Sequence, residues 1–126
     1  MKQKFLNVSI LTLFVFLLFS FSALANKTSV KIIAPEKAKK GTEITVKIEV
    51  KHVGNSKAHY TDWVLVKVNG EEYKKWEYST KELPAGQSFT VEFKIKADSK
   101  LEILAKGNCN KHGSKGESKT TILIEE

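Results

Sequence analysis

Three stretches of this chain alternate strictly between apolar and polar residues, and that alternation constrains the fold more than anything else in it. Ile44, Val46, Ile48 and Val50 are separated by single polar residues; so are Val64, Val66 and Val68, and so are Phe89, Val91, Phe93 and Ile95. A period of two places every apolar side chain on one face of an extended strand, whereas a helix would scatter them around its axis. Shorter segments of strand character lie at Ser29–Ile33, Glu72–Ser79, Leu101–Lys106 and Lys119–Ile124. Turn signals separate them at Lys39-Lys40-Gly41, Asn69-Gly70 and Pro84-Ala85-Gly86, where positive φ or a fixed proline φ reverses the chain. Seven short strands in about 100 residues predict an all-β, seven-stranded immunoglobulin-like β-sandwich.

Ahead of these strands the chain has a different character. Lys2 and Lys4 open it, Phe5 to Phe21 is almost continuously apolar, and Ala23-Leu24-Ala25 has the small-x-small pattern of a cleavage site. That order reads as a cleaved signal peptide over residues 1–25, with export to the periplasm or the extracellular space and no stable membrane anchor after cleavage. Residues 26–126 then form a single domain with one core. This segment carries 19 lysines against 14 acids and no arginine. Bidentate recognition of phosphate and guanine relies on arginine, so the basic balance does not point to nucleic acid.

The polar chemistry is concentrated in two windows. The three histidines and the one cysteine all fall within "HVGNSKAH", residues 52–59, and "GNCNKHG", residues 107–113. A lone cysteine in an exported chain has no partner for an internal disulfide, which leaves a free thiol, an intermolecular bridge or a metal ligand. In an immunoglobulin-like sandwich the connection between the second and third strands and the connection between the last two lie at the same end. His52, His59, Cys109 and His112 should therefore converge. A thiolate with neutral imidazoles is a recurrent set for a redox or structural metal. Copper is the runner-up, because the segment after residue 25 has no methionine to serve as a weak axial ligand; structural zinc fits less well with a chain that can build its own core.

The motif Cys109-Asn110-Lys111-His112-Gly113 closely resembles the Cys-Asn-x-His-Gly motif of the superoxide reductases, also called desulfoferrodoxins or neelaredoxins. The stretches "HYTDWVLVKVNG" and "SVKIIAPEKAKKGTEITVKIEV" are similar to other segments of that family, and the likeness extends over nearly all of residues 26–126. The resemblance implies iron held by imidazoles with an axial thiolate, an oxidoreductase that passes one electron to superoxide to give hydrogen peroxide, and an electron donor that the sequence does not identify. It further implies that Cys109 is the axial ligand and that His52, His59 and His112 are the imidazole donors. His52 and His59 stand one position further apart than the family spacing. The family's first histidine aligns with Ser29, and its neighbouring glutamate and lysine align with Lys27 and Thr28. This chain thus reads as a divergent member with an Fe(His)3Cys-type site, whose strand beginning at Ser29 is expected to start beside the two ligand loops. Lys51 and Lys57, with Lys111 and Lys115, are the candidates for steering an anionic substrate. Trp63 and Trp76 are expected in the core, and Asp62 is a candidate partner for His59.

Overall fold

The structure, a computed structural model, describes residues 27–126; the signal peptide expected over residues 1–25 lies outside them. Eight strands follow one another: β1 (Ser29–Ile33), β2 (Lys37–Lys39), β3 (Glu43–Lys51), β4 (Thr61–Val68), β5 (Glu71–Glu77), β6 (Ser88–Lys96), β7 (Leu101–Cys109) and β8 (Glu117–Glu125). They form a three-stranded sheet in the order β1-β3-β6 and a five-stranded sheet in the order β2-β8-β7-β4-β5. The seven expected strands are all present. The eighth is β2, three residues paired in parallel with β8, from Lys37 opposite Leu123 to Lys39 opposite Glu125. It is too short for any periodicity to reveal, and Ala38 is its one buried residue.

Alternation places the core where the sequence predicts it. Val46, Ile48 and Val50 of β3 are fully buried; facing them from the other sheet are Val64 and Val66 of β4, Ile103 of β7 and Ile122 of β8. Burial of each such side chain contributes about 1.5–3 kcal/mol relative to exposure, and this offsets the entropy lost on ordering the chain. At the Asn69-Gly70 turn both residues have positive φ, 50° and 85°, the geometry of the two-residue hairpin that matches the twist of the strands it joins.

The edge strand β5 is almost entirely exposed, and its aromatics close one side of the sandwich. Tyr73 donates from its hydroxyl to the Lys94 carbonyl of β6 at 3.0 Å, and the Trp76 and Phe93 rings lie 6.5 Å apart. Trp76 therefore packs on the core as expected. Trp63 does not. It falls out of phase with the inward Val64 and Val66, is half-buried on the outer face of its sheet, and carries the Lys75 ammonium 5.7 Å from its ring centre.

Strand β7 runs on to Cys109, three residues beyond its expected end at Lys106. Gly107 reads as a loop glycine in the sequence, but it sits inside the strand because the first residues of the opposite sheet press against it. A Cβ at this position would stand 2.7 Å from Thr28 Cγ2 and 3.0 Å from Val30 Cγ1. The absent side chain lets β1 approach β7, and Cys109 is thereby the last residue of a strand rather than a member of a loop.

Candidate metal centre

Strand ends, more than loops, fix the candidate donors. His52 directly follows β3, is 2% exposed, and donates its backbone N–H to the Gln87 carbonyl at 2.8 Å. The segment between His52 and β4 turns at Gly54, φ 85°, and reciprocal backbone bonds between Ser56 and His59, of 2.8 and 3.2 Å, fold it back on itself. Cys109 is likewise 2% exposed and pairs with Thr61 across β4 and β7. Beyond it the chain reverses at once, with Cys109 N–H to the Gly113 carbonyl at 2.9 Å and Gly113 N–H to the Cys109 carbonyl at 3.0 Å. The turn needs Gly113, whose φ is 77°.

This tight turn aims two backbone donors at the sulfur. The N–H groups of Lys111 and His112 lie 3.4 and 3.5 Å from Cys109 Sγ. The two contacts fix the direction in which the sulfur faces.

The imidazoles meet at His59. Its Nε2 is 3.1 Å from His52 Nε2 and 2.9 Å from His112 Nδ1. The rings stand edge-on, with centres 4.5 and 4.7 Å apart. The donor atoms of His52, His59 and Cys109 all lie within 4.8 Å of one another, and the exposed His112 joins through its contact with His59. Nitrogens this close repel through their lone pairs unless a proton or a cation lies among them. Two imidazoles and a sulfur within 4.8 Å of one another, with a third imidazole against His59, form a candidate donor set for a transition metal. The metal-ligand group formed by His52, His59 and Cys109 contains no carboxylate.

Asparagines hold the frame, and the sequence reading missed them because an asparagine in a loop has no distinguishing pattern. Asn55 reaches His52 Nδ1, Thr61 N–H and the Gly86 carbonyl. Asn110 accepts from Tyr60 N–H at 2.9 Å and donates to the Ala58 carbonyl at 3.4 Å, tying the turn after β7 to the segment before β4. Asp62 accepts from Asn108 Nδ2 at 2.8 Å, which bridges β4 and β7.

The remaining candidates fall as follows. Ser29 does lie beside the two segments; its hydroxyl donates to the Lys51 carbonyl at 3.5 Å. Strand alternation, however, puts it on the face of β1 opposite Thr28 and Val30, the residues that approach Gly107. The inward residue is Thr28, fully buried, with its Oγ1 3.0 Å from Thr61 Oγ1. Lys51, Lys57, Lys111 and Lys115 are all exposed. Among the described residues the ion pairs engage Lys37, Lys40, Lys75, Lys94, Lys96, Lys100 and Lys119, so none of the four lysines flanking the cluster is neutralised by a carboxylate.

The fold and the site together define a β-sandwich with a histidine–cysteine cluster at one end. The family model described as desulfoferrodoxin matches residues 22–116, and the chain belongs to that family. Among curated proteins none matches significantly. Solved structures do. A single-substitution form of superoxide reductase (neelaredoxin) from Ignicoccus hospitalis is 26% identical, with a TM-score of 0.66 over 80% of this chain and 83% of that one. A putative superoxide reductase from Thermotoga maritima is 25% identical, with a TM-score of 0.57 over 81% and 88%. The CARDB domain of a Pyrococcus furiosus protein, solved in complex with di-metal ions, shares the fold alone at 17% identity, with a TM-score of 0.59 over 78% and 92%.

Proposed function

We propose that this protein works outside the cytoplasm as an iron-dependent superoxide reductase, taking superoxide, one electron and two protons to hydrogen peroxide. The observation that carries the reading is the convergence of His52 Nε2, His59 Nε2 and His112 Nδ1, at 3.1 and 2.9 Å, beside the buried thiol of Cys109. Family membership agrees with it. His52, His59, His112 and Cys109 are the residues that would hold the iron, and a thiolate with imidazoles suits that metal. Iron bound there supplies the single electron, and an outside donor restores it.

The chain's own residues contribute in three ways. Lys111 N–H and His112 N–H hold the sulfur of Cys109 in place. The exposed lysines at 51, 57, 111 and 115 lie in or beside the two segments that carry the cluster, and their positive charge would raise the local concentration of a small anion. Protons enter from solvent through the exposed His112 side.

The test is to load the protein with ferrous iron and mix it anaerobically with superoxide. One hydrogen peroxide per iron oxidised, without evolution of dioxygen, supports the reading. Dioxygen evolution, or iron that superoxide does not oxidise, contradicts it. Loading with cupric copper in parallel tests the runner-up: a stable cupric-thiolate band, together with failure to hold iron, would make the protein a copper electron carrier.

A further inference from the structure

We infer that Asn55 is the positioning residue of this centre: its side-chain amide holds the His52 ring in the Nδ1–H form and turns Nε2 toward the other donors. The orientation of the amide follows from two groups whose hydrogen-bonding roles are fixed. The Gly86 carbonyl can only accept, so the atom 2.5 Å from it is the amide nitrogen, Nδ2. The Thr61 N–H can only donate, so the atom 2.9 Å from it is the amide oxygen, Oδ1.

That oxygen is also 2.8 Å from His52 Nδ1. A carbonyl-type oxygen has two lone pairs and no proton. It accepts from Thr61 with one and from His52 with the other, so His52 Nδ1 must carry the hydrogen. A neutral imidazole protonated at Nδ1 presents a lone pair at Nε2, and this is the atom that faces His59 at 3.1 Å. Free histidine favours the opposite tautomer in water. The protein therefore selects, through Asn55, the form of His52 able to bind a cation at the cluster.

The same residue ties the ring to the body of the sandwich. Gly86 and Gln87 form the end of the connection between β5 and β6; Asn55 bonds to the first and the His52 backbone N–H to the second, at 2.8 Å. His52 is held through its main chain by the Gln87 carbonyl and through its ring by Asn55, which is itself anchored on the Gly86 carbonyl. A ring held in this way keeps its direction whether or not an ion is bound.

As a statement about metal affinity this inference rests on the function proposed above, but its tautomer component does not. Long-range nitrogen–proton correlation NMR on the metal-free protein reads the His52 tautomer directly. We expect Nδ1–H in the wild type and in Asn55→Asp, which gives up the bond to the Gly86 carbonyl but keeps an acceptor oxygen for His52 and Thr61. Asn55→Leu should shift His52 toward Nε2–H. Nε2–H in the wild type, or an unchanged tautomer in Asn55→Leu, overturns the inference.

Competition titration with ferrous iron gives a second readout. Asn55→Leu should bind about 10- to 100-fold more weakly, and Asn55→Asp within a few-fold of wild type. Equal affinity in a folded Asn55→Leu protein refutes a positioning role. If Asn55→Leu does not fold, Asn55→Asp decides alone: the stronger acceptor makes His52 a more basic ligand, so the iron reduction potential should fall, and an unchanged potential overturns the inference. A wild type that takes up no iron would refute the proposed function and leave the tautomer measurement to decide the role of Asn55.

Discussion

Replacing Gly107 by alanine tests the packing that brings the start of β1 to the histidine–cysteine end of the sandwich. The added Cβ would lie 2.7 Å from Thr28 Cγ2 and 3.0 Å from Val30 Cγ1. Apolar carbons pack at about 3.5–4.0 Å, so both contacts are too short, by about 0.5–1.3 Å. Neither neighbour yields easily: each is β-branched and stiff at χ1, and Thr28 is fully buried. Overpacking of this kind costs about 1–3 kcal/mol, and the lower entropy of the unfolded alanine chain returns about 0.4–1 kcal/mol. The expected net loss is about 1–2 kcal/mol, which in a domain of this size lowers Tm by about 5–15 °C. Urea and thermal unfolding followed by circular dichroism measure it. Thr28→Ser removes Cγ2 and keeps the hydroxyl bonded to Thr61, so the double variant should recover at least half of the loss. A Gly107→Ala protein as stable as wild type, or strictly additive effects in the double variant, would refute the close approach of β1 to β7.

Four further outcomes are expected. Cys109→Ser should abolish the visible absorption of the iron-loaded oxidised protein while the far-ultraviolet spectrum stays that of a folded sandwich, because the core valines and isoleucines do not depend on the thiol; unchanged absorption would remove Cys109 from the metal. His112→Ala should weaken ferrous iron binding in a competition titration by at least about 10-fold, since the Nδ1 contact with His59 is its link to the cluster. If the four exposed lysines attract superoxide, the second-order rate should fall as salt rises, and Lys57→Glu or Lys111→Glu should both lower the rate and flatten that dependence; a salt-independent rate returns them to ordinary solubilising roles. Burial against Phe89 raises the Tyr78 phenol above its usual range, so the folded state keeps the proton longer than the unfolded chain. The resulting stability is fully present below about pH 10 and is lost as pH rises through the folded value, and Tyr78→Phe should remove that part of the alkaline loss in pH-dependent urea unfolding.

Much of this molecule was legible from side-chain periodicity, and what escaped had no periodicity to show. The alternation in β3, β4 and β6 gave both the strands and their inward faces, since a half-buried strand has little other choice. Sandwich topology then predicted that residues 52–59 and 107–113 would meet, and the contacts of His59 with His52 and His112 bear this out. Four features were hidden. β2 is three residues long and is defined by pairing alone. Gly107 carries opposite meanings in a loop and under a crossing strand, and only the position of Thr28 tells which applies. Trp63 and Trp76 look alike in sequence, yet only Trp76 shares the face of Val64 that is turned to the core. Asn55 was invisible for a related reason: its role lies in three partners, of which Gly86 is 31 positions away.

The most direct test of the account is the coordination of iron in the reconstituted wild-type protein, read by X-ray absorption at the iron edge together with metal analysis. The account predicts one iron per chain, with one sulfur neighbour and at least three imidazole nitrogens, and loss of the sulfur signal in Cys109→Ser. Iron without a sulfur neighbour, fewer than three imidazole nitrogens, or no bound iron at all would contradict it.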